Sequence, residues 1–193
     1  MESLARQRTS SPEEQQLIAR ANRGDREALE QLYRQHRDWV TGLALRFTGS
    51  RDDAVDVLQE TFTYLYAKFP GFKLTSSMRS FLYPVVKHHS ISVLRRRRGV
   101  VDLEGCRAGD GTPRLQWLAV SHSTGDLERM VARLPEGQRE VVWLRFGLDF
   151  RLAEIAETLA IPVGTVKSRL HNALLALRKI ARREELLRQG GPR

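Results

Sequence analysis

The chain has 193 residues and a formal net charge of +9, with 41% hydrophobic and 28% charged residues. No apolar run approaches the ~20 residues of a membrane span, and "MESLARQRTSSPEEQQ" lacks the apolar core of a signal peptide. The lone cysteine, Cys106, excludes an intramolecular disulfide and a multi-cysteine zinc site and suits a reducing cytoplasm, while the excess of positive charge favours an anionic partner, either nucleic acid or a membrane surface.

Residues 1 to 10 are polar and are expected to fray. In "SSPEE", Ser11 can cap a helix, Pro12 fits its first position and Glu14 completes a capping box. The helix carries Leu17, Ile18 and Ala21 and ends near Gly24. Asp25 caps a second helix, in which Leu29, Leu32, Tyr33, His36, Val40, Leu43 and Phe47 recur at helical spacing until "TGS" closes it. A third helix is expected from Arg51 to Phe69, with Ala54, Leu58, Phe62, Leu65 and Phe69 as its apolar stripe. "FPGF" ends it. A fourth begins near Ser76 and reaches Arg95 to Arg98. Pro84 removes a backbone donor inside it and should kink or break it.

Residues 99–125 show no steady period and read as a linker, partly ordered around Leu115, Trp117 and Leu118. Four helical patterns follow: Asp126 to Leu134, Glu136 to Phe146, Leu152 to Leu159, and Val163 to about Arg183. Strand-like alternation is absent. The expected fold class is all-α, in two small helical domains over 11–98 and 126–185.

The last two patterns lie a very short turn apart. Leu152, Ile155, Ala156 and Leu159 share one face of the first; Val163, Val166, Leu170, Leu174 and Leu177 form a stripe on the second. At roughly 100° per residue the opposite face is Thr165, Ser168 and Asn172, flanked by Lys167, Arg169 and His171. Two such helices with small residues at the join describe a helix-turn-helix, whose second helix enters the major groove. Hydroxyls and amides read base edges there, and cations hold phosphates. A helical hairpin with a solvated face is the plainer reading. The basic tail Arg178, Lys179, Arg182 and Arg183 weighs against it. Leu175 falls on the polar face, where it either meets another protein or is simply exposed.

Two further segments carry contrasting charge. On the third helix Asp53, Asp56 and Glu60 gather opposite the stripe, an arrangement that repels DNA and suits a basic protein partner, or else a solvated surface. The next segment carries Lys73, Arg79, Lys87 and the arginine run, interleaved with Phe72, Phe81 and Tyr83. Cations with aromatics suit single-stranded nucleic acid, although core packing is the better account of Phe81. The histidines are scattered, and no phosphate loop or nucleophile motif appears. A metal site of His88, His89 and Cys106 is improbable, and no cofactor is implied.

In this order the segments resemble the extracytoplasmic-function group of bacterial RNA polymerase sigma factors. "DAVDVLQETFTYLY" resembles the region that binds the polymerase clamp helices. "SFLYPVVKHHSISVLRRRR" resembles the stretch that melts and holds the minus-ten element. "LPEGQREVVWLRFGLDFRLAEIAETLAIPVGTVKSRLHNALLALRK" is similar to the domain that reads the minus-thirty-five element. The resemblance implies that Asp53, Asp56, Gln59 and Glu60 face core RNA polymerase. It places Lys87, His88, Ser92, Arg95, Arg96, Arg97 and Arg98 near the minus-ten strand, and Thr165, Lys167, Ser168, Arg169, His171 and Asn172 at the minus-thirty-five groove. It also implies promoter DNA, duplex and melted, as partner, admits an anti-sigma factor, and places the chain in the cytoplasm without membrane insertion.

The chain departs from that family at several positions. Phe81 stands for a frequent tryptophan, His88 for an asparagine and Ser92 for an aspartate, and Pro84 is unusual. Arg151 replaces a small hydroxyl cap, so Asp149 is expected to cap instead. Ala160 replaces a turn glycine, at a cost of roughly 1 kcal/mol if its backbone is left-handed. Asn172 replaces a frequent arginine, which shifts that position toward adenine. A linker of about 27 residues spans at most roughly 90 Å, enough for promoter elements roughly 70 Å apart. A helix-turn-helix regulator that never joins polymerase accounts for the C-terminal half equally well, but leaves Asp53, Asp56 and Glu60 without a role.

Overall fold

Ser11 does cap the first helix: its hydroxyl accepts from the Glu14 N–H, and Pro12 takes the first position of α1, Pro12–Ala21. The computed structural model describes residues 11–102 and 126–189. The chain divides into two units, Met1–Val120 and Ser121–Arg193. Every regular element among the described residues is helical, as the periodicity predicts. The linker expectation around Leu115, Trp117 and Leu118 lies outside the described residues, as do residues 1–10, Cys106 and His122.

In the first unit Asp25 caps α2, Arg26–Thr48, accepting from the Glu27 and Ala28 N–H groups, and Gly49 closes it in a left-handed conformation. The Arg20 guanidinium and the Ala28 N–H hold the Asp25 carboxyl below its ordinary range. Glu14 reaches across to α2, where its Oε1 lies 2.9 Å from His36 Nε2 in a nearly buried pair.

The third helix, α3, is Arg51–Tyr66, three residues shorter at its end than its apolar pattern predicts. Its buried line is Ala54, Val57, Thr61, Phe62 and Leu65. Leu58 is only half-buried, and Phe69 lies beyond the helix, packed on Phe72 at 5.2 Å. Val57 and Thr61 complete the i, i+3, i+4, i+7 geometry that a stripe drawn at wider spacing misses.

Asn22 pins the connection after α3. Its amide oxygen accepts from the Gly71 and Phe72 N–H groups at 2.7 and 2.9 Å, and its amide nitrogen donates to the Phe72 carbonyl. The Phe69–Pro70 bond is cis and Gly71 has φ +99°.

The expected break at Pro84 does not occur. The fourth helix, α4, runs from Met78 to Asp102 with Pro84 exposed inside it. Met78, Leu82, Tyr83 and Val86 are buried on both sides of the proline. At about 1.5–3 kcal/mol each, they outweigh an interior proline's cost of ~3 kcal/mol. Residues 99–102, expected in the linker, belong to this helix. Helices α2, α3 and α4 pack on one another around Leu32, Phe47, Leu65 and Leu82, with Tyr83 edge-on to Phe47.

The second unit holds α5, Asp126–Ala132; α6, Glu136–Val142; a π-helical turn, Trp143–Gly147; α7, Leu152–Thr158; and α8, Val163–Gln189. Its core is Leu134, Val141, Leu144, Phe150, Ile155, Val166 and Ala173. The π turn replaces the last turn of the helix expected to reach Phe146. A methyl on Gly147 would stand 2.5 Å from the Trp143 ring, so only glycine lets the chain fold back over the indole.

Asp149 does not cap α7. Its φ is +56° and its carboxylate faces Arg145. Glu154 instead accepts from the Arg151 N–H at 2.8 Å, and Arg151 is the capping residue. Ala160 has φ +51°, the left-handed backbone that the missing glycine would have taken freely.

Candidate nucleic-acid and partner interfaces

The arginine run at the end of α4 covers more than one face. A helix advances ~100° per residue, so neighbours in sequence diverge in space. Arg95 is exposed and shares its line with His88 and Ser92, seven and three residues before it. The Ser92 hydroxyl donates to the His88 carbonyl at 3.1 Å. No hydrogen bond or ion pair engages Arg95 among the described residues. Lys87 is half-buried beside this line, and Arg98 continues the helix by its backbone.

Arg96 and Arg97 turn the other way, onto α3. Arg97 Nη1 donates to Asp53 Oδ2 at 2.9 Å, and Arg96 Nη2 to Glu60 Oε1 at 2.6 Å. His89 Nδ1 lies 2.9 Å from the second oxygen of Glu60. The two helices are antiparallel here, so the basic end of α4 lies along the acidic face of α3. Thus two of the three expected polymerase-facing carboxylates already hold cations. Asp56 is exposed and carries no hydrogen bond or ion pair among the described residues. Gln59 is exposed beside it. The arginine side chains are 64% and 62% exposed, so each pair contributes only ~0.2–1 kcal/mol.

Asp56, Gln59, Glu60, Thr63, Tyr64, Ala67, His89 and Arg96 line an open groove of about 600 Å³ between the two helices. Tyr64 is exposed there and stacks on Phe81 with centroids 6.4 Å apart; Lys68 sits 4.5 Å over its ring. Of the aromatics expected to serve single strands, Phe72 and Tyr83 are buried core residues. Phe81 is half-buried against Phe72 and Tyr64. Tyr64 escapes a reading of the basic segment because it stands on α3. The pairing of α3 with α4 has no local signal either, since Asp53 and Arg97 are 44 residues apart.

In the second unit the polar face of α8 is open. Lys167, Ser168, His171 and Asn172 are exposed, and Thr165 is half-buried at the helix start. The Thr165 N–H donates to the Pro162 carbonyl and the Ser168 hydroxyl to the Thr165 carbonyl. Arg169 departs from this face. Its guanidinium lies over Gly137 in the first turn of α6, where an added methyl would come within 3.2 Å of it. Arg169 therefore packs α8 against α6. The apolar stripe is also rotated: Val166 and Ala173 are fully buried, while Val163 and Leu174 are exposed, along with Leu175.

Among the described residues no helix is long and apolar enough to cross a membrane, and no His, Cys, Asp and Glu cluster could hold a metal ion. The proposed third member of the His88, His89 and Cys106 set lies outside the described residues.

Two family profiles match this chain, one described as "Sigma-70 region 2" over residues 32–100 and one as "Sigma-70, region 4" over residues 124–177. The ECF RNA polymerase sigma factor SigW of Bacillus subtilis is 27% identical over 174 residues, covering 84% of this chain and 93% of that protein. The ECF RNA polymerase sigma factor SigE of Mycolicibacterium smegmatis is 30% identical over 164 residues, covering 80% of this chain and 63% of that protein. Two solved structures share the fold. CnrH, in complex with the cytosolic domain of CnrY, superposes with a TM-score of 0.58 at 22% identity, over 86% of this chain and 94% of its own. RpoE of Bartonella quintana, in complex with the anti-sigma factor NepR, gives 0.53 at 23% identity, over 79% and 96%.

Proposed function

The chain belongs to the sigma-70 family of RNA polymerase sigma factors, in its extracytoplasmic-function group, and we propose that its two units divide the work of initiation between named faces. As a sigma factor it joins core RNA polymerase and directs promoter-specific transcription. The first domain spans residues 11–102, to the end of α4, and the second residues 126–189, to the end of α8. Asp56 and Gln59 make the first contact with the polymerase clamp, with Asp53 and Glu60 behind them. The outward line of α4, His88, Ser92 and Arg95, meets the minus-ten strand, with Lys87, Arg96, Arg97 and Arg98 close by. Thr165, Lys167, Ser168, His171 and Asn172 face the minus-thirty-five groove, and Arg169 holds their helix in place.

Promoter opening on this reading is differential binding. Bases that leave the stack are held by the protein, offsetting a few kcal/mol of unstacking. No covalent step is needed. An anti-sigma factor, of the kind bound to RpoE, would cover these same faces, and the chain works in the cytoplasm.

The observation that carries this reading is the pairing, on one chain, of an acidic helix in the region 2 match with an open polar helix in the region 4 match. A regulator that never joins polymerase would leave the first match unused. Run-off transcription with purified core polymerase tests it. The added chain should yield a promoter-dependent transcript, and a folded chain that cannot bind core would end the reading. Asp56→Lys should weaken core binding at least tenfold and leave duplex binding unchanged, because the Asp56 side chain supports no internal hydrogen bond or ion pair among the described residues.

A further inference from the structure

Helix α8 runs on past the turns that suit a groove. The region 4 match ends at residue 177, and α8 continues to Gln189. One side of this extension is tied to its own unit: Ile180 is half-buried, and Glu184 Oε1 lies 3.0 Å from Arg133 Nη1, just after α5. Its other side is cationic. Arg178, Lys179, Arg182 and Arg183 are exposed, and no hydrogen bond or ion pair engages their side chains among the described residues. The helical period places three of them on the face of Thr165, Ser168 and Asn172. At ~100° per residue, Lys179 returns to within ~20° of Ser168, Arg182 to within ~40° and Arg183 to within ~60°. The buried Val166 and Ala173 lie on the far side. Hydroxyls and an amide therefore share one open face with a set of cations, the first set ahead of Leu175 and the second behind it.

We infer that Lys179, Arg182 and Arg183 grip backbone phosphates beside the groove that the first turns of α8 enter, so that one helix holds duplex DNA in two parts. The inference rests on the proposed groove face of α8 and extends it past the base-reading residues. From Asn172 to Arg183 the helix rises ~17 Å, more than the ~12 Å width of a major groove. A helix seated by its first turns thus carries its last turns to the groove's edge, where phosphates stand. Contacts there fix position and add affinity without reading sequence. The tie from Glu184 to Arg133 holds the extension on its unit, so the cations are presented at a set distance from Asn172. An acidic protein surface would also suit three cations, but it would not require them to share a face with Thr165, Ser168 and Asn172.

The test uses the full chain and a fluorescein-labelled, mixed-sequence duplex of about 30 base pairs, roughly three helical turns. Binding is measured across salt concentrations, and base preference is read by selection from a randomised duplex pool. Each phosphate neutralised on a duplex adds ~0.9 to the slope of log affinity against log salt. The triple variant Lys179→Gln, Arg182→Gln and Arg183→Gln should therefore flatten the slope by ~2.7 and select the same bases as wild type. Removing an equal charge from the first unit, by Arg23→Gln, Arg34→Gln and Arg37→Gln at exposed positions, should leave the slope unchanged. Helical circular dichroism at full wild-type amplitude shows that the variants are folded. An unchanged slope in the α8 variant overturns the inference, and loss of transcription by its holoenzyme with that slope intact would give the cations to an acidic protein instead. An equal flattening in the first-unit variant overturns it too, since net charge alone would then explain the effect. Failure of the groove reading would appear separately, as wild-type chain that selects no sequence from the pool.

Discussion

The first unit closes its charges on itself, while the second leaves its polar groups open. On α3 and α4, acidic and basic side chains about 40 residues apart in sequence meet and neutralise one another. On α8, Lys167, Ser168, His171 and Asn172 stand exposed, while Arg169 turns back to its own unit. A net charge of +9 is therefore a poor map of where DNA can bind. What matters is which cations remain unspent, and in the first unit the geometry spends two of them internally.

The difference can be broken or sharpened by mutation. The largest effect should come from Gly147→Ala. A methyl 2.5 Å from the Trp143 ring forces the π turn open, at a cost of ~1–3 kcal/mol for an overpacked site. Thermal melting should fall, and binding to a minus-thirty-five duplex should weaken while core binding through α3 survives. Survival of full duplex binding would show that the open face of α8 does not depend on that turn.

Asn172→Arg leaves the fold alone, because the position is exposed. It should move preference at one base pair from adenine toward guanine by about 1–3 kcal/mol. Selection of bound duplexes from a randomised pool would read this, and an unchanged preference would remove Asn172 from the readout. Ala160→Gly should raise the stability of the second unit by about 1 kcal/mol by relieving the left-handed alanine. Chemical denaturation would measure the gain.

The smallest effect belongs to the first unit. Asp25 has its carboxyl held below the ordinary carboxylate value by Arg20 and the α2 cap. Its contribution is intact above that value and is lost as pH falls through the lower folded one. Asp25→Ala should therefore melt earlier than wild type at neutral pH, and the gap should close in acid.

The helices, their caps and the helix-turn-helix were legible in the sequence because they rest on local chemistry. Ser11, Asp25 and the period of α2 specify themselves, whereas the strain at Ala160 shows only through the family resemblance, which puts a turn glycine there. The failures were of a different kind. Pro84 read as a break because its cost is local and its compensation, burial of Leu82 and Tyr83 against other helices, is not. Arg151 lacks a capping oxygen and Asp149 is the nearest side chain before it that has one, whereas Glu154 serves from inside the helix. The stripe on α8 was misplaced by part of a turn because leucines outnumber the small Ala173 that is fully buried. The pairing of Arg96 and Arg97 with α3 left no trace at all, since no period relates residues so far apart.

The Asn22 side chain gives the first unit a property that its helices alone would not confer. The amide protons of Gly71 and Phe72 lie in a connection, where hydrogen exchange with solvent is ordinarily fast, yet both are donated to one buried-edge carboxamide anchored beyond α1. They exchange when residues 22 and 71–72 part, which means separating the α1–α2 connection from the α3–α4 connection. Their exchange rates should thus follow the parting of those two connections, and the segment that leads into α4 stays tied to the start of α2 until they separate.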